Sequence, residues 1–224
     1  MLKGACPSCG GELIFRSKMS VLAVCSFCRS NIVRHDLNLE LIGKKSELIE
    51  DMSPLQIGCT GRWHNKPFWV LGKQTLSWED GRWNEWYIAF QDNTFGWIAE
   101  AQGEFMLLQK PKAEPNLPSL KNLKEMGNVQ VKIDQAIYKL IDQKKVTCLG
   151  SDGELPFKTV IGDVAYIFDF TDGKGGFASI ELDNFGSSHV YVGEYTTLAK
   201  MRIQGLRVLK VGGDLEFRDH KANS

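Results

Sequence analysis

From residue 55 onward the chain alternates apolar and polar positions in short runs broken by Gly, Asp and Asn. A period of two places successive side chains on opposite faces of a strand. The runs predict strands over 69–76, 83–90, 95–99 and 104–108, with turns at Glu79-Asp80-Gly81 and Gln91–Thr94. A second group is predicted over 129–133, 136–141, 145–149, 159–170, 177–182 and 189–192. Gly162 breaks the longest of these runs, and Thr171–Gly176 reads as a Gly-rich turn. A short helical turn is expected near Thr197–Met201. This density of strands and turns predicts an all-β sandwich or barrel.

Lys110–Pro118 separates the two groups. It holds three prolines, which suit a semi-extended linker and not a central strand. Upstream, residues 12–16, 21–24 and 31–34 read as three short strands. Residues 35–50 read as a strand end followed by a connector or helix turn, and Asp51–Pro54 as the turn into the next unit. The expected organisation is a ribbon over 1–36, a Trp-rich β-module over 52–110, a linker over 111–128 and a second β-module over 129–212. The modules are expected to be related antiparallel sandwiches or barrel-like units. Three string pairs at an offset near 90 support the kinship: Pro67–Gly72 with Pro156–Gly162, Asp92–Gly96 with Asp183–Gly186, and Gly103–Phe105 with Gly193–Tyr195. Cys59 and Cys148 fall at neighbouring offsets.

The ribbon carries the clearest chemistry. Cys6-Pro-Ser-Cys9 and Cys25-Ser-Phe-Cys28 form two CxxC pairs. One tight turn aims two sulfurs at a single ion, and Gly10 suits the positive φ such a turn needs. Four thiolates close the coordination sphere, so the expected cofactor is a structural Zn2+ that supplies the ribbon's folding energy. An iron–sulfur centre and a redox pair of disulfides are the competing chemistries.

Composition narrows the function. Lys+Arg and Asp+Glu both number 27, so no global basic excess exists to neutralise phosphates. The ribbon is locally basic through Lys3, Arg16, Lys18, Arg29 and Arg34, which keeps nucleic acid as a second choice of partner. No run of 18 apolar residues suggests a transmembrane helix, and the N-terminal pattern is not that of a signal peptide. A cytoplasmic location is expected, where paired cysteines favour metal over disulfides.

All six tryptophans lie between Trp63 and Trp97. In Gly81-Arg-Trp-Asn-Glu-Trp-Tyr87, strand alternation places Trp83 and Glu85 on one face, with Asn84 and Trp86 on the other. Aromatics commonly fill cores, and that reading stands beside a recognition surface built from Trp63, Trp83, Glu85 and Trp97. A tryptophan beside a carboxylate suits an amine or a cationic peptide.

No P-loop, dinucleotide fingerprint, nucleophile elbow or metalloprotease helix is present. Cys59 has His64 five residues on, but a buried inert cysteine is the commoner case. His189 reads as a polar strand residue, and Asp163, Asp169 and Asp172 as solvated turn carboxylates. No catalytic residue is expected.

The strings Ile57-Gly58, Gly81–Tyr87, Gly96-Trp97 and Glu100-Ala-Gln-Gly103 resemble the bacterial domain of unknown function 4178. Gly153–Phe157 and Val190–Glu194 extend the resemblance, which spans roughly residues 52 to 210. It implies a duplicated domain behind a zinc ribbon, and brings no catalytic residues. It also implies genomic proximity to polyamine-synthesis-like enzymes and to phage-shock-type membrane-stress proteins. The expected function is a non-catalytic zinc-binding adaptor with a protein partner, reaching a membrane only through that partner. Nucleic-acid binding through the ribbon, and an enzyme or binder acting on a cationic small molecule, are the alternatives.

Overall fold

The computed structural model describes residues 1–35, 38–44, 51–118, 122–123, 128–183 and 187–208. The architecture is all-β, as the alternation predicts. The ribbon comprises a hairpin of β1 (Leu2–Ala5) with β2 (Glu12–Phe15), then β3 (Leu22–Val24), β4 (Ser30–His35) and β5 (Asn38–Lys44). The first half of the remainder is β6 (Thr60–Trp63), β7 (Lys66–Trp78), β8 (Gly81–Phe90), β9 (Phe95–Ala101) and β10 (Glu104–Gln109). The second is β11 (Gln130–Ile133), β12 (Ala136–Leu155), β13 (Val164–Thr171), β14 (Gly176–Asp183) and β15 (Ser188–Thr196). Among the described residues no helix is long and apolar enough to cross a membrane.

The two halves build one barrel. Its circuit runs β7-β8-β9-β10-β15-β14-β13-β12 and back to β7, antiparallel throughout. Two seams join the halves. β10 meets β15 from Phe105↔Thr196 to Gln109↔Val192, and β12 meets β7 from Thr147↔Ser77 to Gly153↔Gly72. Closure removes the unpaired edges that two separate four-stranded sheets would leave exposed. Each half follows the same order, a short strand and then a four-stranded meander. The strings matched near offset 90 occupy different places in that order: Pro67–Gly72 lies on β7, whereas Pro156–Gly162 lies in the β12–β13 connection. Of the string Asp183–Gly186, residues 184–186 lie outside the described residues, as do residues 45–50 of the expected connector.

Alternation sorts side chains into lumen and outer face. Trp86, Ile88 and Phe90 on β8 pack outward beneath Leu55, Cys59 and Met201, which belong to segments laid over the barrel wall. On the second half, Phe168, Phe170, Ile180 and Val190 are covered by Leu117, Leu123, Val131 and Ile133. The Pro-rich stretch and β11 therefore serve as a cover for that wall. The opposite face of each strand points inward, so Trp83, Glu85, Tyr87 and Ala89 line the lumen.

β12 is the longest strand, 20 residues, and it changes partners along its length. Its start pairs with β11, its middle with β13 and β7, and its end with β7 and β3. Bulges between Leu140 and Asp142 and between Cys148 and Gly150 bend it around the barrel. At the last turnover two glycines face each other. A Cβ at Gly72 would lie 1.7 Å from the Glu154 carbonyl oxygen, and Gly153 has φ +67°. Both backbones come closer there than any side chain permits.

Beyond that pair, β12 passes to the ribbon through Glu154↔Ala23 and Leu155↔Leu22. The Glu154 side chain is buried and accepts hydrogen bonds from the Arg16 N–H (2.9 Å), the Ser17 N–H (3.3 Å) and the Ser20 hydroxyl (2.7 Å). The Tyr87 hydroxyl donates to Ser17 Oγ at 3.1 Å. Leu22, Val24 and Val33 of the ribbon join Leu71, Tyr87, Ala89 and Trp97 of the barrel in one buried cluster. Burying each such aliphatic side chain contributes about 1.5–3 kcal/mol. The ribbon thus closes one end of the barrel and is bonded to it.

A second tie lies at Asp51, whose carboxylate accepts from Lys73 (2.6 Å), Asn84 Nδ2 (2.9 Å) and the Arg207 guanidinium. Burial works to raise this carboxyl, but Lys73, Arg207 and the Ser53 N–H outweigh it and hold it below its ordinary value.

Two outcomes follow from these ties. Glu154→Gln keeps the volume and removes the charged acceptor, and should loosen the ribbon by about 2 kcal/mol. Hydrogen exchange at the amides of residues 16–24 should accelerate by roughly thirtyfold, with the barrel strands unchanged. Asp51→Asn should lower stability to urea by about 1 kcal/mol at pH 7, after allowance for its partial exposure. Because the folded carboxyl titrates below its unfolded value of about 4, its contribution is present above that pH. The difference between wild type and Asp51→Asn should vanish as pH falls through the folded value.

Candidate metal centre and barrel cavity

The CxxC pairs close the two ribbon turns in the same way. In the first, the Gly10 N–H donates to the Cys6 carbonyl and the Cys6 N–H to the Gly11 carbonyl, each at 2.8 Å. In the second, the Arg29 N–H donates to the Cys25 carbonyl and the Cys25 N–H to the Ser30 carbonyl, each at 2.9 Å. The residue after each second cysteine is left-handed, Gly10 at φ +74° and Arg29 at φ +61°. The expectation for Gly10 holds, and Arg29 takes the same conformation without glycine's freedom. At Gly11 the constraint differs: a Cβ there would meet the exposed Phe27 ring at 2.5 Å, so that ring would have to turn away.

These turns bring together the four cysteines named from the sequence. The Sγ atoms of Cys6, Cys9, Cys25 and Cys28 all lie within 4.8 Å of one another. Cys6 and Cys28 are 3.7 Å apart, and Cys9 and Cys25 are 3.8 Å apart. Cys6 and Cys25 are buried with Leu13 and Ile32, whereas Cys9 faces solvent. The Ser30 hydroxyl and N–H pull the Cys28 thiol down to about 6. At Cys9 a Gly11 N–H works in the same direction, but the adjacent thiols and burial push it up to about 12. The four sulfurs could hold one metal ion. Among the described residues no other group of three or more His, Cys, Asp or Glu is close enough to do so.

The tryptophan-rich stretch is divided by the barrel wall. Trp83 and Glu85 come together in the lumen, where the Trp83 indole N–H donates to Glu85 Oε1 at 3.1 Å. Trp97 is also inward but sealed, packed on Tyr87 and Phe157. Trp63 is buried on the outer side with its ring against His64. Trp69 is 41% exposed, while Trp78 and Trp83 are half-buried.

Two cavities occupy the lumen. The larger, of about 230 Å³, opens between Trp78, Trp83, Ile141 and Tyr195, and reaches Glu85, Asp169 and Lys144. Gln74 Nε2 donates to Glu85 Oε2 at 2.6 Å. Lys144 pairs with Asp142 and lies 3.6 Å from Asp169, which also accepts from Ser179 Oγ at 3.0 Å. The smaller cavity, of about 90 Å³, is bordered by Gln74, Cys148, Phe157, Glu181 and His189. Glu85 and Glu181 are half-buried and line these cavities. Burial raises the Glu85 carboxyl against the opposing Gln74 and Trp83 bonds, and Asp169 raises it further. Burial, with Glu85 and Asp183 nearby, pushes Glu181 up to about 8. Burial also lowers His189 and raises the Cys148 thiol.

The other sequence candidates disperse. The Cys59 thiol donates to the Gly205 carbonyl at 3.1 Å, and burial raises its pKa. His64 is turned toward Trp63 and Glu194. Asp163 caps the Val160 N–H, Asp172 closes the β13–β14 turn and Asp169 lies in the lumen, so the three do not converge. Gln74, Lys144, Glu154 and Glu181 were not singled out from the sequence. Their signal was the polar face of strands whose other face is apolar, a pattern that ordinarily marks solvent.

The family model described as "Domain of unknown function (DUF4178)" matches residues 56–198, from just before β6 to just beyond β15. No curated protein and no solved structure matches the chain. The match covers most of the chain and all eight strands of the barrel, and the chain belongs to the DUF4178 family.

Proposed function

We propose that this protein is a non-catalytic binding module in which a structural Zn2+ clips the ribbon and the barrel lumen takes a small molecule. The observation that carries the reading is the larger cavity: a partly open space with mostly apolar walls and a few oriented polar groups, with the half-exposed Ile141 and Tyr195 at its rim. Catalysis has no comparable support, because Cys59 and His64 face different partners and the lumen groups include no activated nucleophile.

Zinc is favoured by the donor set and its size. A tetrahedron with metal–sulfur bonds of about 2.3 Å has edges of roughly 3.8 Å, and two sulfur pairs already stand at 3.7 and 3.8 Å. Four thiolates leave no open position, so such an ion holds structure and does no chemistry. The site needs reduced thiols, in keeping with a cytoplasmic setting. The module would act as an adaptor that carries its ligand's signal to a protein partner. A link to membrane stress or polyamine metabolism rests on the family resemblance alone.

Purified protein should contain one zinc per chain by elemental analysis, and Cys25→Ser should remove it. Chelation should abolish exchange protection in β3 and β4 first. Iron in place of zinc, or intact protection of those strands after complete demetallation, would overturn the metal reading. For the lumen, a thermal-shift screen of small cationic, neutral and anionic compounds should find binders. Ala101→Phe at the cavity mouth should abolish their shifts while leaving the unliganded Tm within a few degrees. Shifts that survive this substitution, or no shift from any class, would remove the lumen reading.

A further inference from the structure

The charges lining the larger cavity do not balance. Asp142, Asp169 and Glu85 are its acids, and Lys144 is its base. Lys144 is committed to the two aspartates. Glu85 takes its hydrogen bonds from two neutral donors, the Gln74 amide and the Trp83 indole. A carboxylate carries about four acceptor positions, so these two bonds fix its plane and leave capacity on both oxygens. An ionised carboxylate removed from water without a counter-charge is unstable; it protonates or acquires a cation. An anionic ligand would meet the same excess of acid. A metal ion would need several further ligands at Glu85, and among the described residues the cysteines alone form such a group.

The remaining walls specify the rest of the ligand. Trp78 and Trp83 pair at 5.2 Å between ring centroids, and Ile167, Phe177, Met106 and Leu108 continue the apolar lining. Ile141 and Tyr195, both about half exposed, stand at the rim. An apolar cavity of about 150 Å³ accommodates benzene, so this one accommodates roughly nine non-hydrogen atoms.

We propose that the larger cavity is an amine site, in which the ammonium of a small amphipathic amine lies against Glu85 and its apolar body lies against the Trp78–Trp83 pair. The proposal rests on the lumen-binding reading and names the class of ligand for that cavity. The Trp83 indole orients the carboxylate, and the aromatic faces add cation–π attraction to the ion pair. Binding is strongest where Glu85 is ionised and weakens as pH falls through its raised value.

The test uses 2-phenylethylamine, which has the required size, and its neutral isostere 2-phenylethanol, titrated calorimetrically into the zinc-loaded full chain. The amine should bind at least tenfold more tightly than the alcohol at pH 8. Glu85→Gln should weaken the amine by about thirtyfold or more, the effect of removing one partner of an enclosed charge pair, and leave the alcohol within about twofold. Glu181→Gln, on the smaller cavity, should preserve the preference for the amine. Equal binding of amine and alcohol, or an amine preference that persists in Glu85→Gln, would overturn the amine site while the lumen reading stood. If neither compound binds wild type at millimolar concentration and the broader screen also fails, the lumen reading falls with it.

Discussion

A β-strand must satisfy the backbone groups on both of its edges, and β12 does so with four partners in succession. β11 and β13 take its first part, β13 and β7 its middle, and β7 and β3 its end. Barrel closure, attachment of the ribbon and the shape of the lumen all depend on that sequence of pairings. The transfer from β7 to β3 is possible because Gly72 and Gly153 face each other without side chains. The next residue, Glu154, then projects its carboxylate into the ribbon turn and gathers three donors there. A conformational requirement on two glycines thus determines where a charged latch can stand.

Closure also explains the chemistry inside. In an open sheet the polar face of each strand meets water. Here the apolar outer faces are covered by Leu55, Met201, Leu117 and Leu123, so the polar stripes turn inward. Aromatics fill the ribbon end, where Tyr87, Trp97 and Phe157 pack together. Toward the other end the side chains shorten to Ala99, Ala101 and Ser179, and a cavity remains. The carboxylates of Glu85 and Glu181 are therefore desolvated by the same closure that stabilises the barrel, and burial raises both of them.

Most of the strands were legible because alternation survives whether a face meets water or a lumen. β1, β5 and β6 were not read as strands. They are short or mixed in polarity, as Thr60-Gly-Arg-Trp63 illustrates, so no apolar alternation marks them, although each pairs with its neighbour in sequence, β1 with β2, β5 with β4 and β6 with β7. The polar stretch Asp142–Lys144 read as a break between two strands. It is continuous β12, with Asp142 and Lys144 satisfied at the cavity mouth. Conversely, the run over 159–170 begins as a loop, because Gly162 has φ +90° and Asp163 caps the Val160 N–H. The cysteine cluster was legible, since its four members lie within two local turns. The cavity was legible only through Trp83 and Glu85, which neighbour each other on one strand. Asp169 and Lys144 reach it by pairings across the barrel that no local pattern encodes.

The cysteine cluster and the cavity are parts of one folding unit although they lie at different ends of it. An ion held by four thiolates would contribute on the order of 10 kcal/mol to a ribbon that has little core of its own. The route from the ribbon to the barrel runs through the Glu154 bonds and through Leu22, Val24 and Val33, which pack on Tyr87 and Trp97. Tyr87 stands two residues from Glu85 on the inward face of β8, and its hydroxyl bonds Ser17 of the ribbon. The ribbon therefore fixes the strand that carries the cavity's unpaired carboxylate. On the proposed reading, a ligand that binds only the closed barrel would gain affinity from an ion held by the cysteines, and by reciprocity would strengthen that ion's hold on the ribbon. The cysteine cluster at one end and the cavity at the other are thereby coupled through one strand, β8.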